Sequence, residues 1–330
     1  MQIIGLTKDN VEYFKDYLTA DVADNIGRRF TCGMVLIPDD EENDEAAPTD
    51  EEPSYEDLTP VGAIVWELRQ GEGTFDIDSR ILSVKAKDEE AADTLLEEYS
   101  QLVVQMEGGN SYFELPSTLG SVEKKALEKA GFSLETREGD VISVALADLG
   151  MALDSDGKTD DEIKHLSEAE ERDFDNAIAR LDDEGKRGSC EDMPYLPMDY
   201  FDSEISCFKA DEDDLFTAVV LMHRRPSGKI DVDLAEVVED AKEDIKKLLK
   251  QSVVYAEDIC DPGTKFFFDR SNPALKKLTK ELFPTAKGAQ VYSGFRKEEL
   301  PEPVEAEEGE DYLDDDYYPE DAEEVDEDLL

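Results

Sequence analysis

The chain has 330 residues, and 86 Asp and Glu against 34 Lys and Arg give it a formal net charge of -52. This length suits two domains of ordinary size, each able to bury its own core. A field this negative repels phosphate backbones and anionic membranes, and no clustered Lys/Arg stripe opposes it. We therefore predict that the protein binds neither nucleic acid nor membrane.

The cysteines and the hydropathy exclude further classes of protein. The four cysteines are scattered and form no CxxC pair, so neither a disulfide framework nor a metal site is indicated. The chain opens with no cationic region followed by an apolar run, and no apolar stretch approaches the roughly 18 residues of a transmembrane helix. We expect a cytoplasmic protein, and nothing in the sequence indicates its oligomeric state.

The first elements in chain order are a strand over residues 2–6, a helix over 8–18 and a strand over 30–37. Thr7 is a suitable N-cap because it precedes the first apolar residues of the helix. Residues 38–60 are acidic, contain no Lys or Arg and include several prolines. Such a segment cannot bury enough apolar surface to fold, so we predict a flexible insert, with a contact to a basic partner or a cover over the site as alternatives.

Residues 60–84 predict a β-hairpin. The alternation of the first strand places Ala63, Val65 and Glu67 on one face and Ile64, Trp66 and Leu68 on the other. Residues 71–73 contain two glycines, which tolerate positive φ in a tight turn. In the second strand the alternation slips between Asp78 and Ile81, which indicates a bulge.

A helix is predicted after this hairpin. Its apolar residues recur at helical spacing and form one stripe: Ala91, Ala92, Leu95, Leu96, Tyr99, Leu102 and Val103. Free backbone N–H groups and the dipole of a helix N-terminus attract negative charge, so the connection before the helix predicts an anion site. A strand over residues 111–115, a helix over 121–130 and strands over 133–137 and 141–147 complete the first domain.

The second half of the chain repeats this pattern. After a linker over residues 150–162, the segment Ala218–Met222 parallels Ala63–Glu67, and residues 228–233 parallel residues 73–78. A helix and a strand then follow in the same order as in the first half. We predict a tandem duplication, because several matches in one order are hard to obtain by chance. The acidic residues 297–330 are predicted to form a disordered tail.

This order of elements, together with the ending Lys129, Gly131 and Phe132, resembles the core of the GNAT acetyltransferase superfamily. The resemblance implies an α+β fold with two tandem GNAT-like domains, over residues 1–149 and 163–296. Each domain would have a central mixed, mostly antiparallel sheet flanked by helices. The acidic insert 38–60 would lie within the first domain, and a disordered acidic C-terminal tail would follow the second.

GNAT enzymes hold the pyrophosphate of acetyl-CoA on backbone N–H groups of a Q/R-x-x-G-x-G/A loop. In this sequence the resemblance places that loop at residues 87–92, where Glu90 replaces the first glycine and Ala92 is compatible with the pattern. Carboxylates at this helix N-terminus would repel a pyrophosphate. The residues that the resemblance assigns to acetyl-CoA are Val84, Lys87, Glu90, Ala91 and Ala92.

Acyl transfer in this family also needs a base for the amine and commonly uses a Tyr to protonate the departing thiolate. The position of that Tyr is taken here by Leu127, which cannot ionise. The candidate bases are Glu67, Asp76 and Asp78 on the two central strands, and Tyr112 on the following strand is the candidate proton donor. The two histidines, His165 and His223, have no neighbouring nucleophile motif and are expected to be solvated or to lie in the core.

Two functions follow from the resemblance and the residues. One is acetyl-CoA-dependent acyl transfer to an amine, with the acidic field attracting a cationic small molecule as the acceptor. The other is a non-catalytic GNAT-fold scaffold that binds a basic protein partner through its acidic insert and tail. The residue chemistry favours the scaffold and the resemblance favours the enzyme, so both hypotheses stay open.

Overall fold

The computed structural model describes residues 1–39, 55, 58–70, 77–238 and 244–297. The predicted tail after residue 297, the glycine turn, most of the acidic insert and the candidate base Asp76 lie outside the described residues. The described part of the chain belongs to one compact unit. None of its helices combines the length and the apolar character needed to cross a membrane.

The first half of the chain contributes β1 (Gln2–Gly5), α1 (Ala20–Ala23), β2 (Thr31–Ile37), β3 (Gly62–Gln70), β4 (Ile77–Ala86), α2 (Glu89–Gln105), β5 (Asn110–Pro116), α3 (Ser121–Lys129), β6 (Glu135–Glu138), β7 (Val141–Ala145) and α4 (Leu146–Ala152). The second half contributes β8 (Ile163–His165), α5 (Glu171–Asp183), β9 (Cys207–Ala210), β10 (Phe216–Arg224), β11 (Ile230–Val237), α6 (Ile245–Ile259), β12 (Lys265–Asp269), α7 (Pro273–Leu282) and β13 (Gln290–Lys297).

The helix predicted over residues 8–18 is replaced by a single 3-10 turn, Val11–Phe14. The reason is local hydrogen bonding by Asn10. Its side chain accepts from the backbone N–H of Thr7 at 2.8 Å and donates to the carbonyl of Gly5 at 2.9 Å. A side chain that satisfies backbone groups in this way competes with helix formation.

The described strands form two sheets with similar arrangements of parallel and antiparallel strands. The first has the order β1-β2-β3-β4-β5-β13-β6, and the second has the order β7-β12-β11-β10-β9-β8. In each sheet the neighbouring strands are antiparallel except for one central parallel pair, which is β4 with β5 in the first and β11 with β12 in the second. The two sheets therefore carry the repeated pattern that the sequence predicted.

The two halves exchange strands. β7 belongs to the first half of the chain but pairs with β12 of the second sheet over five residue pairs, from Lys265↔Ala145 to Asp269↔Val141. β13 belongs to the second half but inserts between β5 and β6 of the first sheet. The bounds predicted at residues 149 and 163 thus differ from the division into sheets, because strand periodicity specifies a face and not a pairing partner.

The β3–β4 hairpin and α2 follow the sequence closely. Ala63 and Val65 lie in one core cluster and Ile64 and Trp66 in another, as the alternation predicted. The predicted position of the bulge, between Asp78 and Ile81, is wrong, because the pairing there is continuous. The bulge lies at Leu82, since Val65 pairs with Ser83 and Trp66 with Ile81. The predicted stripe of α2 is buried except for Leu102, which is 37% exposed.

Helices cover both faces of each sheet. In the first sheet one face packs against α2 and α3, and the other packs against the 3-10 turn and α1. In the second sheet one face packs against α4, α6 and α7, and the other packs against α5. The part of the first sheet nearest β5 and β13 turns its second face toward the other half of the molecule, and this surface holds the candidate site.

Candidate functional site

The connection between β4 and α2 is filled by carboxylates of the chain itself. Asp88 caps α2, since its Oδ1 accepts from the backbone N–H of Ala91 at 3.0 Å. Glu123, at the start of α3 and only 7% exposed, accepts from the backbone N–H of Ala86 at 3.2 Å through Oε1. Negative side chains therefore already accept from one N–H group of the α2 N-terminus and from one at the end of β4.

The groove between α2 and α3 is bridged by two ion pairs. Lys125 Nζ lies 2.6 Å from Glu89 Oε1, and Lys129 pairs with Asp93 one turn further along. Both pairs are largely exposed and contribute little to stability. They nevertheless place four charged side chains across the groove that separates the two helices.

The residues assigned to acetyl-CoA divide into two groups in the structure. Val84, Ala91 and Ala92 are buried in the core between the first sheet and α2, with exposures of 5%, 0% and 0%. Lys87 and Glu90 are exposed at the start of α2. With Asp88 and Glu123 on the local N–H groups, these residues do not fit a pyrophosphate. Leu127 is fully buried in the same core, as its apolar character requires.

The equivalent helices of the second half carry several lysines. α6 begins after residues 239–243, which lie outside the described part of the chain, and Asp244 caps it by accepting from the N–H of Lys246 at 3.1 Å. Lysines then recur on α6 and α7: Lys246, Lys247, Lys250, Lys276, Lys277 and Lys280. Lys246 pairs with Glu281 and Lys250 with Asp156, so part of this charge is compensated.

A row of polar side chains crosses the first sheet on the face turned toward the second half. Strand register places Glu67 opposite Arg80, Arg80 beside Tyr112, and Tyr112 opposite Phe295. A second row contains Glu114, Ser293 and Glu135, again on neighbouring strands. The structure therefore brings the predicted residues Glu67 and Tyr112 onto one surface.

Glu67 is held by two arginines. Its Oε1 accepts from Arg69 Nε at 2.7 Å and from Arg80 Nη1 at 3.3 Å, and its residue exposure is 7%. A carboxylate oxygen engaged by two guanidinium groups is poorly placed to take a proton from a substrate amine. Burial raises the pKa of Tyr112, which also makes its hydroxyl a weaker acid.

The described residues line three adjoining cavities between the halves. Cavity A, of about 140 Å³, lies between Glu67, Arg69 and Arg80 of the first half and Arg225, Asp231 and Asp233 of the second. Cavity B, of about 350 Å³, lies between Arg69, Arg80, Tyr112, Glu114, Glu135 and Asp269. Cavity C, of about 380 Å³, is bordered by Arg69, Arg187, Ser189, Cys190 and Glu191. Arg69 borders all three cavities, so we refer to them together as the interdomain cleft.

Asp233 is the most deeply buried acid of the cleft. It is 2% exposed, and its Oδ1 accepts from Ser189 Oγ at 2.9 Å. Its Oδ2 has no hydrogen-bond partner among the described residues. Burial, followed by the charge of Asp231, raises the pKa of this carboxyl group.

Ion pairs fix the two halves around the cleft. Arg28 contacts both oxygens of Asp192, with Nε 3.0 Å from Oδ2, and the two side chains are 10% and 2% exposed. Arg225 donates from Nε to Asp231 at 2.6 Å and from Nη1 to Asp24 at 3.2 Å. The halves are therefore joined at this surface by the buried Arg28–Asp192 pair and the partly buried Arg225–Asp24 pair.

Sequence reasoning did not identify the arginines of the cleft. Arg69 and Arg80 lie in strands that contain other polar and charged residues, and only their contacts with Glu67 reveal the cluster. The sequence signal that could have identified these arginines is a charged residue at positions that face each other on two successive strands. No group of three or more His, Cys, Asp or Glu is placed to hold a metal ion in the described ranges.

Comparisons with known proteins identify the fold. No protein-family model and no curated protein matches the sequence. Among solved structures, the chain is similar to a tandem GNAT protein from the clavulanic acid biosynthesis pathway, with a TM-score of 0.51 and 9% identity over 91% of this chain and 99% of that one. It is also similar to the GCN5-related glucosamine N-acetyltransferase region of a fungal multi-domain GH3 beta-N-acetylglucosaminidase, with a TM-score of 0.50 and 8% identity over 89% of this chain and 38% of that one.

The chain therefore has the α+β fold of the GNAT superfamily, with two mixed sheets flanked by helices. The arrangement of the two sheets matches a tandem GNAT fold, which confirms the predicted fold and its tandem repeat. Identities this low establish the fold, and function has to be argued from the site.

Proposed function

We propose that the protein is a non-catalytic GNAT-fold binding protein, in which the cofactor position of the first half no longer serves acetyl-CoA. The contact from the Ala86 N–H to Glu123 carries this proposal, because a buried carboxylate occupies a backbone donor at the end of β4. A second anion placed beside it would meet repulsion from Glu123 and Asp88. Leu127, which has no ionisable group, also supports a non-catalytic role.

Calorimetric titration of acetyl-CoA and CoA into the full chain at moderate salt tests this proposal. We expect no measurable binding by the wild type. Glu90→Gly alone should not restore it, since Glu123 still holds the Ala86 N–H, whereas the double variant Glu90→Gly/Glu123→Ala removes both carboxylates. Micromolar binding of acetyl-CoA by the wild-type chain at the first half would overturn the proposal.

The partner of this binding protein is proposed to be basic. The net charge of -52 supports this, because such a field accelerates association with cationic surfaces and weakens as salt rises. Deletion of residues 298–330 should weaken the binding of a Lys/Arg-rich peptide and reduce its salt dependence. Binding that is unchanged by the deletion at low salt would argue against recruitment through the tail.

Acyl transfer through the second half is the competing function, and the lysines of α6 and α7 favour it. A cluster of lysines on a chain this acidic is suited to phosphate groups, and the acceptor would then be a cationic amine. If acetyl-CoA binds the wild type, Lys277→Ala/Lys280→Ala should abolish binding in this case. The same pair of changes should have no effect if binding occurs at the first half.

A further inference from the structure

We propose that the interdomain cleft binds a cationic α-amino acid, with its carboxylate on Arg69 and Arg80 and its amino groups on the acids that line cavity B. This inference concerns a small-molecule site separate from the cofactor position. It rests on the distribution of charge in the cleft.

The arginine side of the cleft carries more positive than negative charge at ion-pair distance, although Glu191 also lies close enough to Arg69 to act on it electrostatically. Arg69 and Arg80 share the single carboxylate of Glu67, and among the described residues no other carboxylate lies within 4.0 Å of either guanidinium group. Their side chains are only 15% and 19% exposed, so solvent screens this charge weakly. Guanidinium groups bind carboxylates through paired N–H donors, which makes a ligand carboxylate the matching group.

One acid that borders cavity B together with the arginines carries an unpaired negative charge. Asp269 borders cavities A and B and has no ion-pair partner among the described residues, while its Oδ1 accepts from the backbone N–H of Ser271 at 2.8 Å. An ammonium group of a ligand would supply the missing cation. The cavity thus presents both positive and negative groups, which is the pattern that a zwitterion complements.

A second cationic group on the ligand is indicated by the wall formed from β5, β13 and β6. Glu114 and Asp140 share the single guanidinium group of Arg137. Glu135 adds another carboxylate, which accepts from Ser293 Oγ at 3.2 Å. Because acids outnumber arginines on this wall, a ligand with a basic side chain is favoured over one with a neutral or acidic side chain.

The size of the cavity limits the ligand. Cavity B has a volume of about 350 Å³ and adjoins the smaller cavity A. This space suits a single amino acid or a dipeptide. Lysine and arginine combine the required carboxylate, α-ammonium and side-chain cation in one molecule of this size.

Calorimetry with the full chain and a matched series of lysine analogues tests the proposal. L-lysine and L-arginine are expected to bind. Cadaverine lacks the carboxylate, 6-aminohexanoate lacks the α-ammonium and L-norleucine lacks the side-chain cation, and each should bind at least about tenfold more weakly, since each loses one charged contact. No binding of lysine or arginine at 10 mM, on the order of the weakest specific sites, or equal binding of lysine and cadaverine, would overturn the proposal.

Variants locate the ligand within the cleft. Arg80→Met should remove the preference for lysine over cadaverine, and Asp269→Asn should remove the preference for lysine over 6-aminohexanoate. Arg172→Met is the matched control, because Arg172 is 78% exposed and lies on α5 away from the cavities. If Arg80→Met fails to fold, Arg80→Lys, which keeps the charge but loses the paired donors, should still weaken lysine binding. If Arg80→Met and Asp269→Asn both keep the wild-type preferences for lysine over its analogues, the assignment is refuted.

Discussion

His223 Nε2 lies 2.7 Å from Asp24 Oδ2, and its Nδ1 lies 2.6 Å from the carbonyl oxygen of Tyr200. Asp24 belongs to the first half of the chain and His223 to the second, so this imidazole joins the two. Both ring nitrogens face oxygen atoms, and a neutral imidazole donates from only one nitrogen. The two contacts are therefore satisfied together only when the ring is protonated.

The stability of the protein should depend on pH through His223. Burial lowers its pKa, but the hydrogen bonds to Asp24 and to the Tyr200 carbonyl raise it more, so the net pKa lies above the ordinary value. Arg225 lowers this pKa and Asp233 raises it further. A raised histidine pKa adds stability that is complete below about pH 6.5 and is lost as pH rises through the folded-state value.

Thermal unfolding of the wild type and of His223→Gln between pH 5.5 and 8.5 measures this contribution. The wild type should exceed the variant most at low pH, and the difference should shrink as pH rises. When Asp24→Asn removes the charged acceptor, the effect of His223→Gln on Tm should depend less on pH. A difference in Tm that stays constant across this range would contradict the role of the protonated ring.

Loss of one partner from the Arg28–Asp192 pair should be strongly destabilising. Asp192→Ala leaves a guanidinium group that is 10% exposed without its bidentate acceptor, at a cost of about 3 to 5 kcal/mol in the free energy of unfolding. Urea denaturation reports the change. Lys125→Ala removes one partner of an exposed pair and should leave the midpoint nearly unchanged. Similar midpoints for the two variants would show that the buried pair contributes no more than a surface pair.

The hydroxyl of Tyr99 should also contribute to stability. It contacts Ser79 Oγ at 2.8 Å and Ser111 Oγ at 2.9 Å, and all three residues are almost fully buried. Tyr99→Phe leaves buried hydroxyl groups without this partner and should cost about 1 to 3 kcal/mol. Tyr195→Phe is the control, since Tyr195 is 53% exposed. Equal unfolding free energies for Tyr99→Phe and the wild type would contradict this reading of the contact.

Strand exchange should prevent the first half from folding alone. Residues 1–149 lack β13, so β5 and β6 lose their common neighbour, and β7 has no β12 to pair with. Unpaired strand edges favour aggregation. We expect this fragment to give a poorly dispersed NMR spectrum, and to form a folded one-to-one complex when produced together with residues 150–330. A well-dispersed spectrum for the isolated fragment would show that the exchange is dispensable.

The sequence predicts the elements of this fold better than their partners. The stripe of α2 and the two faces of β3 depend on residues close together in the chain, so their periodicity is visible without tertiary information. Leu102 lies at the margin of the stripe, and only packing decided that it is exposed. The exchange of β7 and β13 depends on contacts between distant segments, which periodicity does not encode.

The residues of the candidate site could also be predicted only in part from the sequence. Glu67 and Tyr112 could be named because acids and tyrosines on central strands suit acid–base chemistry. The role of Arg80 emerges only from its register between these two residues. Glu123 resembles any acid in the first turn of a helix, where it would favour the dipole. Its contact with Ala86 depends on how α3 packs against the end of β4.

The exchanged strand β13 also constrains the order of events during synthesis. Residues 291–297 complete a sheet whose partners, residues 110–116, leave the ribosome much earlier. A nascent chain must therefore hold an incomplete first sheet until almost all of the described chain has been made. In the cell, the exposed edge of β5 is accordingly a point at which a chaperone would be expected to act before the last strand arrives.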